Sequence, residues 1–218
     1  MTTTDSTDER SAHPAPACCG PDPDKRAQIL AGAREVFLER GFDGASMGDI
    51  AKAARVSKGT LYVYFQNKED LFGALVTAVC SETAEGMFVL DDAEPDVEAA
   101  LGRLGLSFIE AMVEPGHIAI VRMVIAISGR FPEIGRRLFE AGPLSGTRRL
   151  ACYLQAKVDQ GVLVIDDVEQ AATQFLALCK EGVTQPILMG CSEGPDIAAT
   201  RQVIAGALYV FMRAYGRR

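Results

Sequence analysis

The stretch RVSKGTLYVYF, residues 55–65, begins with small or cationic side chains that suit close contact with a polyanion. Ser57 is a favourable N-cap and Lys58 supplies a positive charge, while Gly59 permits close approach of the backbone. Thr60 adds a hydroxyl and a methyl group, so it can contact polar and apolar base edges. These residue types predict a short helix whose N-terminal end enters the major groove of DNA.

The aromatic residues that follow divide between two faces of this short helix. Leu61 and Phe65 are four positions apart and should pack against the preceding helices. Tyr62 can lay its ring on a thymine methyl group and direct its hydroxyl at a phosphate, and Tyr64 can reach the DNA backbone. Lys68, which follows closely, is placed for a further phosphate contact.

The element before this helix must hold it in place, and its own start is marked in the sequence. Ser46 is an expected N-cap and Asp49, three positions later, is the acidic half of a capping box. A second short helix therefore precedes the turn that leads to Ser57, and the pair forms a helix-turn-helix. Gly41 should end a longer first helix, and Asn67 should cap a fourth.

Charge supports nucleic-acid binding only locally. The 218 residues carry a formal net charge of −7, which excludes a wholly basic protein that coats nucleic acid. Between residues 24 and 70, however, the sequence has eight basic and seven acidic residues, a local net charge of +1. The alternative from spacing alone is a small helical bundle whose tyrosines only lie at the surface.

The ends and cysteines of the chain indicate its class. Residues 1–23 lack large apolar side chains and are expected to be disordered. No signal sequence or transmembrane segment is recognisable, so we expect a cytoplasmic protein. Cys80, Cys152 and Cys179 are expected in the core, whereas Cys18 and Cys19 leave metal or thiol sensing open as an alternative.

Helical periodicity continues through the rest of the chain, interrupted at Pro and Gly residues. It predicts helices near 94–113, 117–128, 132–140, 143–160, 167–189 and 195–215. The apolar run 162–165 is interpreted as a packed linker rather than a strand. The fold class predicted from these patterns is all-α.

Residues 29–71, which contain FLERGFDGASMGDIAKAARVSKGTLYVYFQNKEDL, resemble the N-terminal DNA-binding domain of TetR-family bacterial transcriptional regulators. The C-terminal part, particularly GRFPEIGRRLFEAGP, is similar to the AefR-like branch. The resemblance implies a DNA-binding domain over 24–72, and a ligand-binding and dimerisation domain over 73–218. It also implies DNA-contact roles for Ser46, Ser57, Lys58, Thr60, Tyr62, Tyr64 and Lys68.

One position departs from the family pattern. Arg55 stands where many members have Gly, at a turn position that we expect to need a positive φ. A left-handed conformation there would cost Arg55 about 1–2 kcal/mol, and contact with a phosphate would offset part of that cost.

The second domain should supply the dimer seam and an effector pocket, although the sequence does not indicate which residues line the pocket. We expect a repressor that binds a near-palindromic operator as a homodimer and is released by a small apolar molecule. The dimer seam is assigned to residues that recur at helical spacing near the C-terminus: Ala171, Phe175, Leu178, Ile204, Ala207, Leu208 and Phe211.

Three other functions are less consistent with these features of the sequence. An enzyme is disfavoured, because the chain has only two histidines, His13 and His117, and lacks phosphate-loop, metal-binding or nucleophile-elbow motifs. A regulator that works without an effector, or one that senses metals or thiols, remains the alternative function. We expect no cofactor.

Overall fold

The computed structural model describes residues 22–87, 90–91 and 93–217, and eleven α-helices form within these ranges. Most of the tail expected over 1–23 lies outside the described residues, but its last two positions belong to the fold. Asp22 caps the first helix and Pro23 begins it. The helices are α1 (Pro23–Gly44), α2 (Met47–Ala53), α3 (Lys58–Tyr64), α4 (Lys68–Met87), α5 (Val97–Met112), α6 (Pro115–Ile127), α7 (Pro132–Phe139), α8 (Ser145–Asp159), α9 (Val168–Lys180), α10 (Thr184–Leu188) and α11 (Ile197–Tyr215).

Helices α1 to α4 surround a first hydrophobic cluster. One face of α1, which carries Ile29, Ala33 and Val36, is buried together with Leu61 and Phe65 from α3 and its C-cap. Phe37, Phe42 and Phe72 pack ring against ring, with centroids 4.8–6.0 Å apart. These contacts fix the short helices α2 and α3 on a rigid support, which helices of seven residues could not provide for themselves.

A second cluster is formed by α5, α8, α9 and α11. Leu101, Leu150 and Phe175 are fully buried in it, and Phe175 meets the ring of Phe211 edge-on at 5.4 Å. Gly105 on α5 lies so close to Ile204 of α11 that an added Cβ would stand 3.1 Å from its Cγ2. The helices of this cluster therefore pack at short range.

Helices α6 and α7 pack with the first cluster although they come later in the chain. Their residues Ile120, Val124, Ile127 and Ile134 are buried against α1 and α4. The hydrophobic packing therefore does not divide the chain at residue 72, where the resemblance placed the domain boundary. That boundary stays a prediction about sequence units.

Two predicted helix limits are wrong. The helix expected over 167–189 is divided into α9 and α10, because Gly182 adopts a φ of 77° between them. The expected joint at Gly142-Pro143 is instead helical, since a π-helical turn over Glu140–Leu144 joins α7 directly to α8. In the apolar run 162–165, Leu163 forms one isolated antiparallel bridge with Gly216, and no strand forms within the described residues.

The three cysteines that were expected in the core differ in their burial. Cys80 and Cys179 are buried as expected, but Cys152 is exposed on α8, so its assignment to the core is wrong.

Within the described ranges, no single helix is long and apolar enough to cross a membrane. The pair α5 and α6 reaches that length only together, with a bend of 65° between them.

Candidate nucleic-acid interface and ligand cavity

Serine side chains cap both helices of the helix-turn-helix, as the sequence predicts. The hydroxyl of Ser46 accepts a hydrogen bond from the Asp49 backbone N–H at 3.1 Å, and that of Ser57 accepts one from Thr60 at 2.9 Å. The Ser46 hydroxyl also donates to the Asp49 carboxylate. This hydrogen bond lowers the pKa of Asp49, and Arg40 at 3.2 Å partly neutralises the resulting charge.

The turn between α2 and α3 is a Schellman motif with Arg55 at its left-handed position. Arg55 has a φ of 54°, the one positive value of a non-glycine residue within the described ranges. Its N–H donates to Lys52 at 3.0 Å, and the N–H of Val56 donates to Ala51 at 3.0 Å. The prediction of a positive φ at Arg55 is confirmed, and its side chain is exposed.

The exposed face of α3 carries the polar and aromatic groups that the sequence predicts. Lys58 and Gly59 are exposed at its N-terminal end, and Tyr62 exposes 53% of its surface. Tyr64 is only half-buried and packs against the first hydrophobic cluster. The structure thus brings most of the predicted contact residues to one end and one face of a single helix.

Val63 is a contact candidate that the sequence reasoning missed. It follows Tyr62 and is 70% exposed, so α3 also presents an apolar side chain to solvent. An apolar contact of this kind is suited to a thymine methyl group. Its signal in the sequence was weak, because a valine within an aromatic-rich stretch resembles a core residue.

Two glycines allow α2 to lie close to its neighbours, and both were missed. An added Cβ at Gly48 would stand 3.1 Å from Cε of Lys58, so its absence lets that lysine side chain lie across the start of α2. At Gly32 of α1 an added Cβ would come within 2.5 Å of the Ala54 backbone nitrogen. Gly32 therefore permits the close approach of α1 and the turn.

The Lys68 side chain, which was expected to contact a phosphate, is bonded to backbone carbonyls of the protein itself. Its ammonium group donates to the backbone carbonyls of Phe42 at 2.7 Å, Ala45 at 3.0 Å and Asp43 at 3.5 Å, and it lies 4.6 Å from the centroid of the Phe42 ring. An ammonium group has three donors, so this arrangement occupies all of them. A direct phosphate contact by Lys68 stays a prediction that would require these bonds to break.

The predicted dimer seam lies mostly on the wrong face of its helices. Five of its seven residues are buried inside the protomer, in the second cluster: Ala171, Phe175, Ile204, Ala207 and Phe211. Leu208 is half-buried, and Leu178 alone among the seven is exposed. The regular spacing reflected packing of α9 and α11 against each other and against α5, because intramolecular and intermolecular seams share the same helical period.

An apolar cavity of about 310 Å³ lies between the two hydrophobic clusters. Helices α4 to α10 and the π-helical turn all contribute to its walls, which include Met87, Phe108, Met112 and Leu176. Its size is at the lower end of the range of roughly 300–1,000 Å³ for small-molecule sites. Because α4 continues directly from the helix-turn-helix, one element borders both the cavity and the DNA-binding region.

A more open, polar hollow of about 390 Å³ lies beside this cavity, where α1 meets α4, α5 and the start of α6. Arg34 of α1 approaches Glu82 at 3.7 Å and also lies beside Glu114, the N-cap of α6. Burial raises the pKa of Glu114, but the backbone amides of Gly116 and His117, together with Arg34, outweigh this effect and lower it. This hollow is lined by charge and suits a salt-bridged joint better than an apolar ligand.

The described residues contain no group of three or more His, Cys, Asp or Glu side chains that could hold a metal ion. Burial raises the pKa of Cys80 to about 11 and that of Cys179 to about 12, so both stay protonated and unreactive near neutral pH. Cys18 and Cys19, on which the sensing alternative depended, lie outside the described residues.

Two family models match the chain. Residues 29–75 match the model described as bacterial regulatory proteins, tetR family, and residues 99–217 match the C-terminal domain of AefR-like transcriptional repressors. The second match alone covers more than half of the chain. The chain belongs to the TetR family. Both family models describe transcriptional regulators and not enzymes.

Individual relatives agree with the family models. The solved structure of the Flavonoid-responsive Regulator FrrA is 35% identical and covers 90% of this chain and 100% of FrrA, with a TM-score of 0.78. A TetR-family regulator from Mesorhizobium loti MAFF303099 has a TM-score of 0.81 over 89% of this chain and 98% of its own, and its 24% identity shows a shared fold. The HTH-type transcriptional regulator UidR of Escherichia coli K12 is 33% identical over 127 residues, or 52% of this chain and 56% of UidR. The chain thus spans about half the length of the first curated relatives it matches.

Proposed function

We propose that this TetR-family regulator is a cytoplasmic repressor that leaves a near-palindromic operator when a small apolar molecule binds it. The observation that carries the proposal is the apolar cavity between the two clusters. A protein that only bound DNA would need no enclosed space bordered by the helix that follows its recognition helix. The printed name of FrrA, a flavonoid-responsive relative with full-length similarity, is consistent with an organic effector.

The DNA contacts in this proposal come from α3 and the turn before it. Lys58 and Arg55 neutralise phosphates, Thr60 and Tyr62 contact base edges, and Gly59 lets the helix end approach closely. Ser46 and Ser57 cap their helices and keep hydroxyl lone pairs at the surface. Lys68 acts through its carbonyl bonds, which join α4 to the end of α1 and so hold the recognition helix in position.

A homodimer is part of the proposal, because a palindrome is read by two recognition helices roughly 34–36 Å apart. The exposed face of α11 carries Tyr209 and Val210, and that of α9 carries Leu178. Gly206, also exposed, has open space around it and lets a second helix approach closely. These residues replace the buried ones in the assignment of the seam.

The proposed response begins where the cavity touches α4 and the first turn of α6. A ligand that separates these helices changes the tilt of α4 and therefore the spacing of the two recognition helices. Glu114, at the start of α6, also lies near Arg34 of α1 and is stabilised by its charge, which gives a second route to the DNA-binding region. Linkage requires that DNA weaken ligand binding by the same factor by which ligand weakens DNA binding.

The test has two stages with the full-length protein. A selection from random duplexes should recover a near-palindromic sequence, and failure to recover any preferred duplex at moderate salt would reject operator recognition. A thermal-shift screen of apolar small molecules should then find stabilising compounds, since 100-fold saturation adds about 2.7 kcal/mol to the free energy of unfolding. Such compounds should release the selected duplex.

A matched pair of variants tests whether the response to the compound depends on the cavity. Ala177 lines the cavity on α9, and Ala99 is exposed on α5 outside it. Ala177→Phe fills the cavity and should keep operator binding while it loses the response to the compound. Ala99→Phe should behave as the unmodified protein, and equal responses from both variants would place the ligand elsewhere.

A further inference from the structure

The cavity wall includes an imidazole ring with a buried nitrogen that the described part of the chain leaves without a hydrogen bond. His117 lies on its wall in the first turn of α6, where its backbone N–H donates to the Glu114 carboxylate. Its Nδ1 atom is buried without a hydrogen-bond partner among the described residues. A buried polar atom left unpaired costs about 1–3 kcal/mol, so a ligand that turned the ring far enough to reach this nitrogen would recover that energy.

Three of the four threonine hydroxyls that line the cavity are already paired. Hydroxyls of three lining threonines donate to the carbonyl one turn earlier in their own helices: Thr83 to Val79 at 2.8 Å, Thr173 to Glu169 at 2.9 Å, and Thr184 to Lys180 at 3.2 Å. Each of them therefore offers a ligand only lone pairs.

The interior of the cavity is also uncharged at neutral pH. Burial lowers the pKa of His117, although Glu114 opposes the shift, so the ring is neutral there. The thiol of Cys80 stays protonated because burial raises its pKa to about 11. Lys180, the one permanent cation among the lining residues, is exposed and lies at the rim. A carboxylate placed inside would lose hydration without gaining an opposite charge.

A neutral imidazole has one nitrogen that donates and one that accepts, and its tautomer is not fixed by a protein partner here. A hydroxyl group can both donate and accept, so it pairs with His117 in either tautomer. A carbonyl group would pair with only one of them. The apolar walls would then cover the remainder of the molecule.

We infer that the effector is a neutral, largely apolar molecule with an alcohol or phenol hydroxyl, and that His117 is the residue that selects this group. The inference rests on the proposed function, because it names the ligand class of the same cavity. It also places the hydrogen bond in the turn that Glu114 connects to Arg34 of α1.

The experiment compares three probes of one shape by calorimetry on the full-length protein: para-butylphenol, butylbenzene and para-butylbenzoate. We expect para-butylphenol to bind about tenfold more tightly than butylbenzene, a ratio that corresponds to one hydrogen bond. The benzoate should bind more weakly than the phenol. His117→Phe, which keeps a ring of similar size, should reduce the phenol preference to about twofold or less.

Two further variants separate the anchor from general packing. His117→Gln keeps a donor and an acceptor and should retain part of the preference, whereas Thr173→Val removes a hydroxyl already paired within α9 and should retain all of it. Circular dichroism and melting curves establish that each variant is folded.

The outcomes are distinct. Equal binding of the phenol and butylbenzene would overturn the role of His117 and leave ligand binding in the cavity intact. Tighter binding of the benzoate, or binding of none of the three probes, would overturn the ligand class. Operator binding measured without any probe decides separately whether the proposed function itself fails.

Discussion

The outer surfaces of α3 and α11 both expose a tyrosine, but the residues around each tyrosine differ in chemistry. Tyr62 on α3 is 53% exposed and has Lys58 and Thr60 on the same short helix. Tyr209 on α11 is 62% exposed beside Val210, which is itself 51% exposed, and Arg213 lies over its ring at 5.4 Å. Similar exposure of two tyrosine side chains therefore does not indicate that the two surfaces have the same function.

The neighbours decide which partner each surface suits. Cations, hydroxyls and a glycine near Tyr62 match the charged phosphates and the polar base edges of DNA. An apolar residue and small side chains near Tyr209 match a second copy of the same face, from which water is excluded. We therefore propose that α3 faces DNA and that α11 faces a second protomer.

The largest expected effect comes from placing a charge on the α11 surface. Val210→Glu should give a folded monomer, because a buried like-charge pair would form across the two-fold axis. Loss of the second half-site should weaken binding to the palindrome by about 100-fold or more, as expected when a bivalent contact becomes monovalent. Analytical ultracentrifugation and DNA titration measure both changes.

Two other variants that add a glutamate serve as controls for Val210→Glu. Ile125→Glu also adds a charge at an exposed apolar position, on α6, and should remain dimeric. Ala207→Glu points into the second cluster and should unfold the protein rather than yield a folded monomer. A dimeric Val210→Glu variant that binds DNA normally would move the seam away from α11.

Tyr62 on α3 should show the next largest effect. Tyr62→Ala should cost on the order of 1–3 kcal/mol of operator binding and reduce discrimination at one base pair, because the ring contact is lost. Tyr62→Phe removes only the hydroxyl and should keep base discrimination while it loses a phosphate contact. Titrations against single-base variants of the operator test this, and unchanged discrimination in Tyr62→Ala would assign base reading to other residues.

Lys58 and Lys68 should give smaller and opposite signatures. Lys58→Ala should flatten the salt dependence of DNA binding by about one unit, because an exposed phosphate contact disappears. Lys68→Ala should lower the melting temperature and change the salt slope less, because its ammonium group bonds three carbonyls in the free protein. A full unit of slope lost in Lys68→Ala, with unchanged stability, would instead favour a direct phosphate contact.

The smallest expected change is a gain in stability at the turn. Arg55→Gly relieves the left-handed conformation at φ 54° and should raise the free energy of unfolding by about 0.5–1 kcal/mol. The same change removes an exposed cation and should weaken DNA binding slightly at low salt. Denaturant titration measures the first effect, and a destabilised variant would mean that the Arg55 side chain itself stabilises the turn.

Local features of the interface were predictable from the sequence because short-range chemistry determines them. The caps at Ser46, Ser57 and Asn67 follow from hydrogen-bonding rules over three or four residues, whereas the positive φ at Arg55 was expected from the family pattern, in which many members have Gly at this position. Their positions then fixed the exposed face of α3. The same argument covers the all-helical class, since the apolar period extends along almost the whole chain.

Features that depend on distant partners were not predictable in this way. Lys68 looked like a free cation because the carbonyls of Phe42 and Ala45 lie more than twenty positions earlier. Ala207 and Phe211 looked like a seam because helical period alone does not tell a protomer core from an interface. Likewise, the cavity needs walls from seven helices, which only the tertiary structure brings together.

Helix α6 follows α5 in the chain but shares its buried residues with α1 and α4. The residues from 24 to 72 alone would therefore expose apolar surface that Ile120, Val124 and Ile127 cover in the full protein. Cooperative unfolding units follow packing rather than chain order. Backbone amides of α1 and α6 should thus exchange hydrogen with solvent through the same opening event, separately from those of α8 and α9. Helix α6, from the later part of the chain, thus completes the hydrophobic core on which the N-terminal helix-turn-helix rests.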